Sequence, residues 1–217
     1  MIARMLLRVA CLFASCTTLS GTEVINTLNA PEQSLRELGI ESNMRSAQSF
    51  RTTAAVNIIT DVTLKMHSTV TTGTFKVSIY DGTGLEGSPG ALVANIFSGQ
   101  VSDLPIGPFQ DFHIGGLNVS LDFESEYYIV ADVGPYDELY KFVYWQYTDS
   151  PPPGSHGETS VYWESEKGLP WTGMAVGTPQ LMRVVAIPEP GTYMLSCIAV
   201  ILLAIAGKRR RRTLAAA

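Results

Sequence analysis

The three cysteines of this 217-residue chain, Cys11, Cys16 and Cys197, all lie near its ends. The long stretch between them forms no disulfide, offers no thiolate nucleophile and builds no cysteine-ligated zinc site, so its stability rests on a packed core. Cations are also scarce there. Of 15 Lys and Arg, two precede residue 10 and five follow residue 207, leaving eight against 20 Asp and Glu; the portion between is near −12, although the whole chain is −5. Such a charge favours solubility and repels nucleic acid and anionic lipid. Catalytic signatures are missing too. There is no His-Glu-x-x-His, no Gly-x-Ser-x-Gly and no glycine loop placed to cradle phosphate between a strand and a helix. Ser88 has Glu86 where a nucleophile elbow has its first glycine, so it reads as a turn serine.

What the sequence does have is concentrated at its extremities. Met1 to Arg8 carries Arg4 and Arg8 and no acid, Val9 to Leu19 is mostly apolar or small, and a polar stretch starts at Ser20. That order is a secretory signal peptide over residues 1–21, passed through the Sec translocon and cut between Cys16 and Thr22. Phe13-Ala14-Ser15-Cys16 leaves a second reading open, a lipoprotein box with Cys16 lipidated. At the other end, Pro188-Glu189-Pro190 precedes an apolar run from Tyr193 to Ala206 that stops against Lys208, Arg209, Arg210, Arg211 and Arg212. Some fifteen helical residues cover about 22 Å, short of the ~30 Å hydrocarbon layer. The five cations offset the shortfall: they stay on the cytoplasmic side and snorkel to the headgroups. A transmembrane helix is expected over 193–207, with 213–217 as a short cytoplasmic tail.

Motif, helix and arginines in this order over residues 188–212 resemble the sorting signal of PEP-CTERM proteins, substrates of the bacterial membrane protease/transpeptidase exosortase. Ile187 stands where that family has Val, and Gly191 where it has Ser or Thr. The resemblance implies that exosortase recognises Pro188, Glu189 and Pro190 and removes the membrane tail. The upstream domain is then released, or attached at the cell surface. An ordinary C-terminal anchor with a Pro-rich approach is the plainer alternative.

Residues 22–187, about 165 in number, suffice for one core. Their apolar period is two. Val56, Ile58, Val62, Leu64 and Met66 share one parity, and Phe75, Val77 and Ile79 repeat the alternation. Further strands are expected over 92–97, 109–114, 117–121, 127–133, 139–147, 160–163 and 181–187. They are separated by turn formers such as Asp81-Gly82-Thr83-Gly84, Gly115-Gly116 and Pro151-Pro152-Pro153-Gly154. Many short strands with polar turns describe an all-β, antiparallel β-sandwich of jelly-roll type. A helix is suggested only over Ala30 to Leu38, ended by Gly39.

Gln48-Ser49-Phe50, Val62-Thr63-Leu64, Val77-Ser78-Ile79-Tyr80-Asp81 with Gly87-Ser88-Pro89-Gly90, Leu121 and Tyr127-Tyr128-Ile129-Val130 carry a second resemblance. Over roughly 33–186 they look like the "choice-of-anchor" surface domains of bacteria, type R, which join a sandwich to exchangeable anchors and carry no general enzymatic activity. On the residues themselves, Gln48-Ser49-Phe50 reads as a first strand with Phe50 in the core. Asp81 to Gly90 reads as a long hairpin whose glycines tolerate positive φ, and the tyrosine pair as one ring on each face of a sheet.

Candidate chemistry is thin. The histidines, His67, His113 and His156, are far apart, so no metal site is assigned to them. Glu164 and Glu166 near Trp163 and Trp171, or Asp122, Glu124 and Glu126, offer the paired carboxylates of a glycoside hydrolase, but acids are common here and a solvated acidic surface accounts for them. Asp81 with Glu86, or Asp122 with Glu124, are hard oxygen ligands suited to Ca²⁺, without the dense spacing of a calcium loop; no other cofactor is expected. Nine aromatics crowd residues 136–171, and Trp145, Trp163 and Trp171 are the candidate contacts to a sugar such as exopolysaccharide. About half of these rings belong to the core by alternation. The expected role is therefore structural or interactive rather than enzymatic, in an exported protein that is held briefly at the inner membrane.

Overall fold

The computed structural model describes residues 21–31, 35–85, 88–135, 142–148, 161–164, 170–173 and 179–188. Thirteen strands occupy them: β1 (Thr22–Asn26), β2 (Leu35–Ile40), β3 (Arg45–Arg51), β4 (Ile58–Ser68), β5 (Thr74–Asp81), β6 (Leu92–Gln100), β7 (Gln110–Ile114), β8 (Val119–Ser120), β9 (Glu126–Val133), β10 (Val143–Thr148), β11 (Val161–Glu164), β12 (Thr172–Gly173) and β13 (Met182–Ile187). One sheet runs β1-β13-β4-β10-β2, with β7 and β8 also on β4; the other runs β12-β11-β3-β9-β5-β6. Strand pairing is antiparallel throughout both sheets.

The two sheets share one core. Val62, Leu64, Met66, Val143, Trp145, Met182 and Val184 of the first meet Phe50, Phe75, Val77, Ile79, Ile129, Ala131 and Val133 of the second, all buried. Each such side chain withdrawn from water contributes about 1.5–3 kcal/mol, which is how a domain without disulfides holds. A buried polar bridge also crosses between the sheets. The Gln180 backbone N–H donates to Gln48 Oε1 at 2.7 Å, Gln180 Nε2 donates to Ser46 Oγ at 2.6 Å, and Thr27 Oγ1 donates to the Gln180 carbonyl at 2.8 Å. These bonds satisfy the Gln180 N–H, Nε2 and carbonyl, leaving its buried Oε1 without a partner.

β4 organises the first sheet because its eleven residues pair along both edges. β13 and then β10 follow one edge, β8 and then β7 the other. The simple alternation expected for it breaks at Thr60. Val185 pairs with Asp61 and Ala186 with Ile59, so Thr60 is an extra residue, and the inward set becomes Ile59, Val62, Leu64 and Met66.

Other expectations need correction. The segment suggested as helix, Ala30 to Leu38, contains the start of β2 instead; Gly39 lies inside that strand, against the ring of Phe142. Gln48-Ser49-Phe50 does put Phe50 in the core, but in the third strand rather than the first. β1 and β12 have no counterpart among the expected strands. In the Asp81–Gly90 hairpin the described glycines make no use of the positive φ they tolerate; among the described residues that conformation belongs to Gly73, Gly107, Gly116, Asn43 and Glu124. Gly84 and Gly90 are required by crowding: a Cβ on Gly84 would lie 2.5 Å from the Ser88 carbonyl oxygen, and one on Gly90 would lie 2.8 Å from the Gly84 nitrogen. The tyrosine pair divides as expected. Tyr127 enters the main core, and Tyr128 joins Ala47 and Val130 on the outer side of the second sheet.

Candidate functional site

The strand ends that lead out of the sandwich lie side by side. β1 begins opposite the end of β13, Thr22 facing Ala186, and Ile187 faces Ile58 at the start of β4. Asn57 fastens this end: its N–H donates to the Ile187 carbonyl at 3.2 Å and its Nδ2 to the Leu121 carbonyl at 2.8 Å. The turn from Leu121 to Glu126 is docked beside it. Thr52 Oγ1 donates to the Asp122 carbonyl at 2.6 Å, and Arg51 donates through Nε and Nη2 to the Glu124 carbonyl at 3.1 and 3.0 Å. Pro188 is the last described residue of this run. Glu189, Pro190, the 193–207 segment, the basic cluster 208–212 and the 1–20 leader lie outside the described residues. Among those described, no helix is long and apolar enough to cross a membrane.

The three tryptophans proposed for a sugar do not form one surface. Trp145 is wholly buried in β10, and its indole N–H donates to the Leu181 carbonyl at 3.0 Å. Its ring is core, so it is withdrawn as a sugar contact. Trp171 is half-buried against Ala47, Tyr128 and Val130, and the Arg45 guanidinium caps its ring at 4.9 Å. The Trp163 backbone sits in β11 opposite Ser46; its side chain lies outside the described residues. A different aromatic group, which sequence reading did not assemble, lines the outer side of the first sheet. His67 stacks on Tyr144 at 4.6 Å and 12°, meets Phe109 edge-on at 4.4 Å, and Phe142 meets Tyr144 at 5.6 Å. The register that pairs Tyr144 with His67 brings them together, and no local motif encodes it.

Of the candidate carboxylates, Asp81 is engaged locally. Asp81 Oδ1 accepts from Thr83 Oγ1 at 2.6 Å, the Thr83 N–H at 3.1 Å and the Ala91 N–H at 2.9 Å. The Thr83 hydroxyl, with smaller help from the two backbone donors and against some desolvation, holds the Asp81 carboxyl below its ordinary value. Asp81 Oδ1 is thus committed to closing the hairpin, and Glu86 lies outside the described residues. Asp122 and Glu124 offer their backbone carbonyls to Thr52 and Arg51. On the outer side of the first sheet Lys65 pairs with Asp111 at 2.9 Å, and His113 lies 3.5 Å from Asp61 and 3.2 Å from Thr63 Oγ1. Among the described residues no three His, Cys, Asp or Glu converge as a metal set. Glu166, His156 and the Glu164 side chain lie outside them.

No family model matches the chain, and no curated protein matches it. Solved structures give distant likenesses. The cysteine protease and lectin-like domains of Cwp84, a surface-layer-associated protein of Clostridium difficile, are 11% identical, with a TM-score of 0.45 over 73% of this chain and 37% of that one. The clostridial Cwp84 protease after propeptide cleavage gives 12% identity and a TM-score of 0.46 over 73% and 41%. The infectious bursal disease virus VP2 subviral particle gives 11% and 0.32 over 88% and 48%. The chain thus spans under half the length of each, and likenesses with TM-scores below 0.5 assign it neither a fold family nor an activity.

Proposed function

We propose that this is an exported bacterial surface or matrix protein with a structural or interaction role, delivered by a Sec signal peptide and processed by exosortase at Pro188-Glu189-Pro190. The observation that carries the reading is the order of motif, apolar run and basic cluster at residues 188–212. The fold supports it in one respect: β1 and β13 are neighbours, so a leader and a sorting tail would leave the body from the same end without crossing it. The antiparallel sandwich is consistent with a jelly-roll body of the choice-of-anchor kind, flanked by a signal peptide and a transmembrane helix. On this reading the protein resides briefly in the inner membrane, then at the cell surface or outside it.

The test is a processing assay in the producing cell. Glu189→Ala, or deletion of Lys208 to Arg212, should leave a precursor larger than the mature form in the cytoplasmic membrane. Normal maturation of both variants would refute the sorting reading. Glycan binding is the second reading, favoured by the partly exposed Tyr144, Phe142 and Phe109 rings rather than by Trp145. Retention of the protein on exopolysaccharide, lost on Tyr144→Ala and kept on Trp145→Phe, would establish it.

A further inference from the structure

Five large apolar side chains stand exposed among the described residues, and four of them gather at one end. They are Leu85 (86% exposed), Leu92 (57%), Val93 (41%) and Phe123 (42%); Ile106 (63%) is the exception. The strand registers fix the ends. Arg51 faces Glu126, Asp81 faces Tyr127, Ser120 and Ile187 both face Ile58, and Thr22 faces Ala186. The hairpin carrying Leu85 and Leu92 and the turn carrying Phe123 therefore share the end from which Pro188 departs. Direct bonds tie them together: the Gly82 N–H donates to the Glu126 carbonyl at 3.0 Å, and Asn57 joins Leu121 to Ile187. Ile106 bridges to Ser68, at the opposite end of β4.

The chain beyond Ile187 sets how far this end can stand from a bilayer. Only residues 188–192 separate β13 from the apolar run at Tyr193, and five extended residues reach at most about 17 Å. β4, with eleven residues, is about 35 Å long, so the far end of the sandwich stands well clear of the surface. We propose that, while the tail is inserted, the sandwich stands upright with this end on the bilayer, Leu85, Leu92 and Phe123 dipping into the interfacial zone. The proposal rests on reading residues 193–207 as a membrane helix. Asp122, Glu124 and Glu126 at the same end make the matching surface a zwitterionic one, since anionic headgroups would repel it. Apolar tips of this kind add interfacial affinity while the tail holds and too little to retain the body once the tail is removed.

The experiment uses the form left after leader removal, Thr22 to Ala217, with Cys197 replaced by Ser, so that the tail is its one greasy terminal segment. Single Leu85→Cys, Phe123→Cys and Ile106→Cys variants carry an environment-sensitive nitrobenzoxadiazole label and are reconstituted in phosphatidylcholine vesicles. All three sites are exposed, so labelling does not disturb the core. The expected result is co-flotation of every variant, with labels at 85 and 123 blue-shifted and quenched by lipid-borne nitroxide, and the label at 106 neither. Co-flotation with all three labels alike overturns the upright docking and leaves the membrane tail standing. Failure to float overturns the tail reading, and the docking with it.

Discussion

At the scale of single residues, the buried Gln48–Gln180 bond and the Trp145 ring are two points where a single change reaches the shared core. Gln48 bridges the sheets through Gln180, and removing its amide strands the Gln180 N–H in the interior. Gln48→Ala should lower unfolding free energy by about 2–4 kcal/mol, combining a lost buried hydrogen bond with a cavity, as measured by urea denaturation. Trp145→Ala should cost about 3–5 kcal/mol by the same measurement, because a core ring goes together with its bond to Leu181. Asp81 gives a pH signature. Its folded pKa lies below the ordinary 3.8, so its contribution is complete above that value and is lost as pH falls through the lowered one. Asp81→Asn should be less stable than the parent at pH 6, and the gap should narrow as pH falls below the ordinary carboxyl value and through the lowered one. A gap independent of pH would mean that the side-chain shape, not its charge, closes the hairpin.

At the scale of elements, the strands whose faces are unequal were the ones legible in the sequence. Phe75, Val77 and Ile79 alternate with Thr74, Lys76 and Ser78, and β5 buries the first set as that pattern requires. β2 was not legible: Leu35-Arg36-Glu37-Leu38 reads as well on a helix, and what makes it a strand is its partner, with Leu38 opposite Trp145 and Ile40 opposite Val143. The bulge at Thr60 was hidden for a related reason, since Ile58 and Ile59 are both apolar and only the register with Val185 and Ala186 shows which faces inward. The Asp81–Gly90 hairpin was recognised from its glycines, but their cause is close packing rather than positive φ. Gly84→Ala should therefore destabilise the fold by about 1–3 kcal/mol, because the new methyl meets backbone oxygens that cannot rotate away. Thermal unfolding checks it; an unchanged midpoint would show that the hairpin yields. Of the candidate site, the aromatic crowding was visible, whereas the partition of rings was not. Trp145 and Tyr144 are adjacent in sequence, and one lies in the core while the other stacks on His67 outside.

At the scale of the whole molecule, one acidic, thiol-free sandwich stands between two greasy segments, and its first and last strands pair so that both segments attach at one end. That arrangement suits a body which is threaded outward, tethered near a membrane and then cut free, and it requires nothing of the far end. The central claim is that both segments are removed. Intact-mass spectrometry of the native protein, recovered from the cell surface or medium, tests it most directly. The expected species begins between Cys16 and Thr22 and ends close to Pro190, without residues 193–212, and an added lipid mass on Cys16 would identify the lipoprotein route. A native chain running from Met1 to Ala217, recovered from the cytosol, would contradict the account.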